Sequence, residues 1–331
     1  MAALLERLDR WQQRHRALRF PFAVFTRFKE HNGPRLAANV SYFAFFSIFP
    51  LMLALVTILG LVLEDRPELR QDLLDSALGN VPVLGSQIGE STTPLSGNVF
   101  VLVVGLATAL WGGLKMIDAL AFAMNELWDV PPSDRPSSLR ARLRGALVLA
   151  VFGGGLVAST VLAGLPAALD LGIATPFIGL LGSGAANVAV ILAAQKLLVA
   201  RPLTFGDMWR GAVIGGVLIL VLQQLGVVLV QRLGGSSDTY GAFAGIIGVL
   251  AFFHLLFRAL LMSLETNVVR SLGLVPRSMN PNGASLTDGD RRALLLDVQR
   301  VQRDQRVGYA VALGDLITAG DDIAPAARPR A

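Results

Sequence analysis

Apolar positions in this chain fall into long uncharged runs, and nearly all the charge is gathered into the short segments between them. A helix that crosses the hydrocarbon core of a bilayer needs about 20 mainly apolar residues, because the core is about 30 Å thick and a helix rises about 1.5 Å per residue. Six stretches meet that length: residues 36–63, 98–124, 145–165, 176–198, 211–231 and 240–264. The first holds no charge at all, and the second ends in a more polar turn with Lys115 and Asp118. Pro166, Asp170 and Pro176 break the third from the fourth, and the turn-rich LGGSSD segment separates the fifth from the sixth. The pattern predicts an all-α fold: a polytopic bundle of six transmembrane helices with amphipathic helices at its borders.

Two regions flank the 36–270 membrane domain, and a third, polar one lies within it between the first two spans. Residues 1–35 form a basic arm in which Leu4, Leu8, Trp11, Leu18, Phe22 and Phe25 recur at helical spacing, interrupted at His15 and with a possible bend site at Pro21. That stripe fits either the surface of a leaflet carrying anionic lipid or the protein's own loops. The segment from Pro67 to Pro94 alternates leucines with acids and predicts short amphipathic helices on the outer face. Residues 271–331 form a tail that is turn-rich after Pro276, helical from Asp288 to about Leu316, and disordered at its end. No cleavable signal peptide is expected, since no apolar core precedes Leu36.

Orientation follows from Lys and Arg, which are retained on the cytoplasmic side. Placing the arm inside also places inside 24 of the 29 basic residues, with Arg66, Arg70 and Arg232 outside and Lys115 and Arg258 within spans. Both termini are therefore expected in the cytoplasm. Composition agrees with lipid as the solvent, because only 16% of residues are charged against about 25% in soluble domains.

Ionisable side chains at bilayer depth are costly and are functional candidates for that reason. Asn39 and Tyr42 lie in the first half of span 1, and Lys115, Asp118 and Asn125 in or just below the inner half of span 2. His254, Arg258 and Glu265 lie toward the inner end of span 6. His254 and Arg258 are four apart and Glu265 follows at seven, so the three share a helical face; Lys115 and Asp118, three apart, share another. These faces are expected to turn into the bundle and meet in one polar cluster. It would serve either as a structural ion-pair network or as a cavity for a polar or anionic headgroup. Pro50, Gly215 and Gly216 are candidates for bending, with close helix packing the alternative for the glycines.

Several chemistries are excluded. The chain has no cysteine, which removes disulfides, thiolate metal sites and Cys nucleophiles. The glycine runs lack the Lys-Ser/Thr that a phosphate loop needs. Three histidines, at 15, 31 and 254, form no metal-ligand spacing. No catalytic residue, metal or cofactor is therefore assigned, and no nucleic-acid partner follows from a net charge of +5.

Three passages carry a family resemblance. Asn39 to Leu53 (NVSYFAFFSIFPLML) has Tyr, Ser and Pro within an aromatic stretch. Leu110 to Leu127 (LWGGLKMIDALAFAMNEL) contains Trp111, Asp118 and Asn125. Tyr240 and Gly241 open a last span that closes with Glu265 and Asn267, and Trp209 precedes span 5. In order and spacing, residues 20 to 270 resemble the YihY/BrkB-type integral membrane proteins, formerly named ribonuclease BN. The chain departs from their pattern at Ser263 and Leu264, where a Gly-Ala pair is usual. The resemblance implies a multi-pass bacterial inner-membrane protein. Its implied roles are binding and moving a lipid or other amphiphile, or serving as a scaffold for envelope integrity, as a homo-oligomer or with an envelope partner. A membrane-embedded enzyme is the third alternative. Ribonuclease activity is not expected, because no soluble loop offers a metal cluster or an acid–base pair open to RNA.

Overall fold

The computed structural model describes residues 2–62, 99–136, 143–148, 175–233, 241–279 and 286–300. Among these residues the secondary structure is helical throughout, with no strand. The arm forms α1 (Ala2–Arg14) and α2 (Arg16–Glu30), followed by α3 (Gly33–Val62) and α4 (Val99–Leu127). Then come α5 (Thr175–Leu198), α6 (Phe205–Leu233), α7 (Gly241–Ser271) and, in the tail, α8 (Asp288–Arg300). Helices α3 to α7 coincide with five of the six expected spans. Three stretches, Phe177–Leu198, Phe205–Gly226 and Ile247–Ser271, are long and apolar enough to cross a membrane. The third expected span lies outside the described residues apart from a helical start at 143–148, as do the 67–94 segment and the tail beyond Arg300.

Helix association in lipid rests on close packing, which small residues permit. A Cβ on Gly112 of α4 would stand 3.1 Å from Cβ of Ser47 on α3, so the two signature helices cross with almost no space between them. On α6, a Cβ at Gly215 would meet Ser263 Oγ at 2.5 Å, and one at Gly216 would meet Val188 of α5 at 2.6 Å. These contacts give Gly215 and Gly216 a packing role, and α6 runs unbroken through both. The departure at Ser263 is accommodated from the other side: Gly211 and Gly215 supply the small surface that a glycine on α7 would otherwise provide. Pro50 lies inside α3; its side chain falls outside the described residues.

The main apolar core joins α3, α4, α5 and α7 through Val40, Ala44, Ile117, Leu120, Met124, Ile191, Leu261 and Leu264. The arm breaks at His15, whose backbone is extended (φ −93°, ψ 109°), and Pro21 lies within α2. One face of the arm packs on the protein, with Gln12, Ala23, Val24 and Phe28 buried, while Leu8, Trp11, Leu18 and Phe25 remain exposed. The tail closes over the packed face, since Asp9 accepts hydrogen bonds from Ser278 Oγ (2.9 Å) and the Met279 N–H (3.0 Å). Arm and tail therefore lie together at one end of the bundle.

Candidate functional site

That end is held by ionic groups. Arg27 on α2 is fully buried; its Nη2 donates to both carboxylate oxygens of Asp129 at 2.8 and 2.7 Å, and its Nη1 donates to Glu30 (3.1 Å) and Asp297 (2.9 Å). His31 stands between two carboxylates, with Nε2 3.1 Å from Asp129 and Nδ1 3.1 Å from Glu265. Arg277 extends the network, pairing with Glu30 and, at 2.7 Å, with Asp290. Four separate parts of the chain thus meet here: the arm, the end of α4, the C-terminal part of α7, and the tail.

Local folding explains each position. Val24, Arg27, Phe28 and His31 recur at helical spacing, so Arg27 and His31 project from the same face as the apolar anchors. Asp129 ends α4 in a Schellman arrangement: its N–H bonds the Glu126 carbonyl (3.2 Å) and the Val130 N–H bonds the Asn125 carbonyl (3.0 Å). It adopts φ +52°, a left-handed conformation that glycine fills at no cost and a side chain enters rarely. At the matching end of α7 the corresponding residue is Gly273, with φ +63°. The strained position of Asp129 is compensated by the three hydrogen bonds its carboxylate receives from Arg27 and His31.

The core of the network balances, with Arg27 and His31 facing Asp129 and Glu265. Burial acts against the His31 imidazolium, but the charge of Glu265 and hydrogen bonds to Asp129 and Glu265 outweigh it and raise the pKa to about 9. Burial likewise acts against the Asp129 carboxylate, but hydrogen bonding and charge from His31 and Arg27 hold its pKa below the ordinary value. Both ring nitrogens of His31 face a carboxylate oxygen, so the doubly protonated ring can donate to Asp129 and Glu265 at once. His31, Asp129 and Asp297 also bring three ligand-type atoms within 4.8 Å of one another. Arg27 bonds both of those aspartates, so a guanidinium already supplies the positive charge between them.

The expected residues divide into two sets. Glu265 is fully buried and belongs to the network. Asn125 is also buried, but its role is to clamp the end of α5: its Nδ2 donates to the Leu198 carbonyl (2.9 Å) and its Oδ1 accepts from the Ala200 N–H (2.8 Å). By contrast Lys115, Asp118 and Arg258 are exposed and His254 is half-buried. None of these four forms an ion pair with a described residue. Asn39 is exposed, and Tyr42, 53% exposed, contacts Phe46 with the two rings tilted by 51°.

The single cluster is thus corrected. Arg258 and Glu265 do share a face of α7, but the arm and the Asp129 turn cover that face only at the level of Glu265, and Arg258 lies about 10 Å farther along the helix. On α4, Trp111, Lys115, Asp118 and Phe122 recur at intervals of four, three and four and form one exposed stripe, opposite the face that packs on α3. Arg27, His31, Asp129, Asp290 and Asp297 carry the network without having been singled out by spacing. Arg27 and His31 had a signal, a cation and an imidazole on the apolar face of an amphipathic helix. Asp129 and Asp297 had none, since each is an acid in a polar connecting or tail segment.

Comparison with known proteins agrees with this architecture. The chain is 29% identical over 116 residues to the inner membrane protein YhjD of Escherichia coli (strain K12), a match that covers 33% of this chain and 34% of that relative. It is 24% identical over 267 residues to the ribonuclease-like protein YfkH of Bacillus subtilis (strain 168), covering 74% of this chain and 93% of that protein. A protein of Dickeya dadantii (strain 3937) is 25% identical over 254 residues, 70% of this chain and 77% of its own. No solved structure matches. The profile of the family described as virulence factor BrkB matches residues 24–284, which takes in α3 to α7, the Arg27–His31–Asp129–Glu265 core and all three signature passages. The chain is a membrane protein and belongs to the BrkB family.

Proposed function

We propose that the protein binds a lipid or other amphiphile along the charged face of its membrane helices and helps it to move through the bilayer. The observation that supports this reading is the exposure of Lys115, Asp118 and Arg258 within otherwise apolar helices, without an ion-pair partner among the described residues. Counting residues along the helix, Lys115 lies about 18 Å from the end of α4, well inside the hydrocarbon thickness. A charge at that depth is costly unless water, a partner or a polar ligand meets it, and a zwitterionic or anionic headgroup offers both signs to such a stripe. The basic end, with both terminal segments, faces the cytoplasm in this reading.

A scaffold role is the second reading, favoured by the buried Arg27 network that binds arm, bundle and tail into one unit. A ribonuclease role, which the name of YfkH suggests, has less support. The His–Asp grouping is buried under the arm, and Arg27 occupies its carboxylates, so RNA has no access to it.

Native mass spectrometry of the purified protein in mild detergent tests the proposal, comparing Lys115→Gln, Asp118→Asn and Arg258→Gln with the unaltered chain. Near-normal thermal stability with reduced retention of co-purified lipid is expected for at least one variant. Equal retention by all three would leave the scaffold reading in possession.

A further inference from the structure

A second basic site lies at the end of α5. A cavity of about 310 Å³ opens there, lined by Arg144, Lys196 and Arg201 with Val199, Pro202 and Leu203. Its wall contains three cations and, among the described residues, no carboxylate. Arg144, Lys196 and Arg201 form no ion pair with a described residue. Lys196 Nζ donates to the Leu203 carbonyl at 3.0 Å, which fixes the ammonium at the wall and leaves two of its three N–H donors free. Asp207 lies close enough to interact with Arg201. Its carboxylate is already engaged by Thr204 Oγ1 at 2.6 Å and Ser271 Oγ at 3.1 Å.

The wall is held in place rather than loosely draped. Leu198 and Ala200, on either side of the turn that leaves α5, are the two residues clamped by Asn125. Asn125 therefore acts as a positioning residue for this pocket. Position matters equally: Lys196 sits in the last turn of α5 and Arg144 in the helical start of the 143–148 segment. The pocket thus lies between the end of α5 and the 143–148 helix, at the level where the sequence pattern puts the polar border of the membrane. Basic pockets between helices at that level suit phosphate-bearing headgroups, and the volume is at the lower end of what a small polar ligand fills.

We infer that the Arg144–Lys196–Arg201 pocket binds the phosphate of an anionic lipid headgroup. The ligand chemistry is a phosphate anion, which a free phosphate could also supply, and the three residues are distinct from the α4 and α7 stripe. The two sites therefore stand or fall separately.

The test uses the full-length protein, delipidated in detergent and titrated with phosphatidylglycerol, phosphatidylcholine or inorganic phosphate, with bound ligand read by native mass spectrometry. Phosphatidylglycerol should bind in preference to phosphatidylcholine. Arg144→Gln, Lys196→Gln and Arg201→Gln should each weaken that binding about fivefold, and the triple variant should abolish the preference. Arg144→Lys and Arg201→Lys should retain most of it. If the triple variant does not fold, the single Gln and Lys variants, checked for unaltered melting, carry the test alone. Equal binding of the two lipids, or a preference that survives the Gln variants, overturns the inference. Saturation by inorganic phosphate with no preference between the lipids overturns the assignment to a lipid and leaves a free-anion site. Loss of binding in Lys115→Gln and Arg258→Gln but not in the pocket variants places the lipid on the stripe instead.

Discussion

Two regions of this molecule use the same residue types for opposite ends. At the Arg27 network every principal charge meets another, and both His31 nitrogens are engaged. On the stripe of α4 and at Arg258 of α7, charges stand exposed without a described ion-pair partner. Position along the helices accounts for the difference. The arm and tail close over α4 and α7 at one end, and about 10 Å away nothing in the described chain covers the same faces. A buried charge left unpaired is expensive, whereas one that meets water or a polar headgroup is not, so the first region must be built as a set while the second is free to change residue by residue.

The largest effect separating the two should come from Arg27→Met. It leaves Asp129, Glu30 and Asp297 facing one another with only His31 and Arg277 in compensation, and loss of one partner from a buried pair costs about 3–5 kcal/mol. Thermal unfolding in detergent should show a large drop in midpoint for this variant and partial recovery when Asp129→Asn is added. An unchanged midpoint would mean that the network is as permissive as the stripe.

Next in size is a pH effect. The groups facing His31 are Glu265 on α7, Asp129 after α4 and Arg27 on its own helix, with Glu30 and Asp297 behind Arg27. Because the folded pKa of His31 is raised from 6.5 to about 9, its contribution is complete below 6.5 and is lost as pH rises through about 9, by about 3 kcal/mol as an upper bound. Asp129 shifts the other way, so its contribution is present above its ordinary value of 3.8 and is lost as pH falls below it. Melting points measured across pH should therefore fall on the alkaline side, and His31→Gln should flatten that limb. Stripe variants should keep the alkaline slope of the unaltered chain, and a slope that survives His31→Gln would assign it to other groups.

The all-helical character and the long apolar helices were legible because long uncharged runs leave few alternatives to membrane helices, and the break at His15 interrupts a clear apolar stripe. The sharing of a face by His254, Arg258 and Glu265 was legible too, since helical spacing determines it. Which part of that face is covered was not. Coverage of Glu265 depends on His31, separated from it by nearly the whole membrane domain, and on Asp129, whose left-handed turn has no glycine to announce it. Counting Arg27 among the retained cations was reasonable for orientation, but charge counts carry no information about pairing. Asn125 shows the same limit, since depth identified it while only the path of the chain after α5 reveals the clamp.

The smallest effect is the most exacting test of the contrast. Lys115 and Asp118 are three apart on one exposed face of α4, a spacing at which an ion pair is geometrically available, yet they form none here. A double-mutant cycle with Lys115→Gln and Asp118→Asn, read by thermal or chemical unfolding in detergent, should give a coupling energy within about 0.5 kcal/mol, as exposed charges do. The same cycle on Arg27 and Asp129 should give several times that value, because there each single change strands a buried charge. A Lys115–Asp118 coupling above about 1 kcal/mol would show that the two are paired when the protein is folded in its amphiphile. The stripe would then be a second closed network rather than a surface open to a headgroup, and the lipid-binding reading would lose its supporting observation.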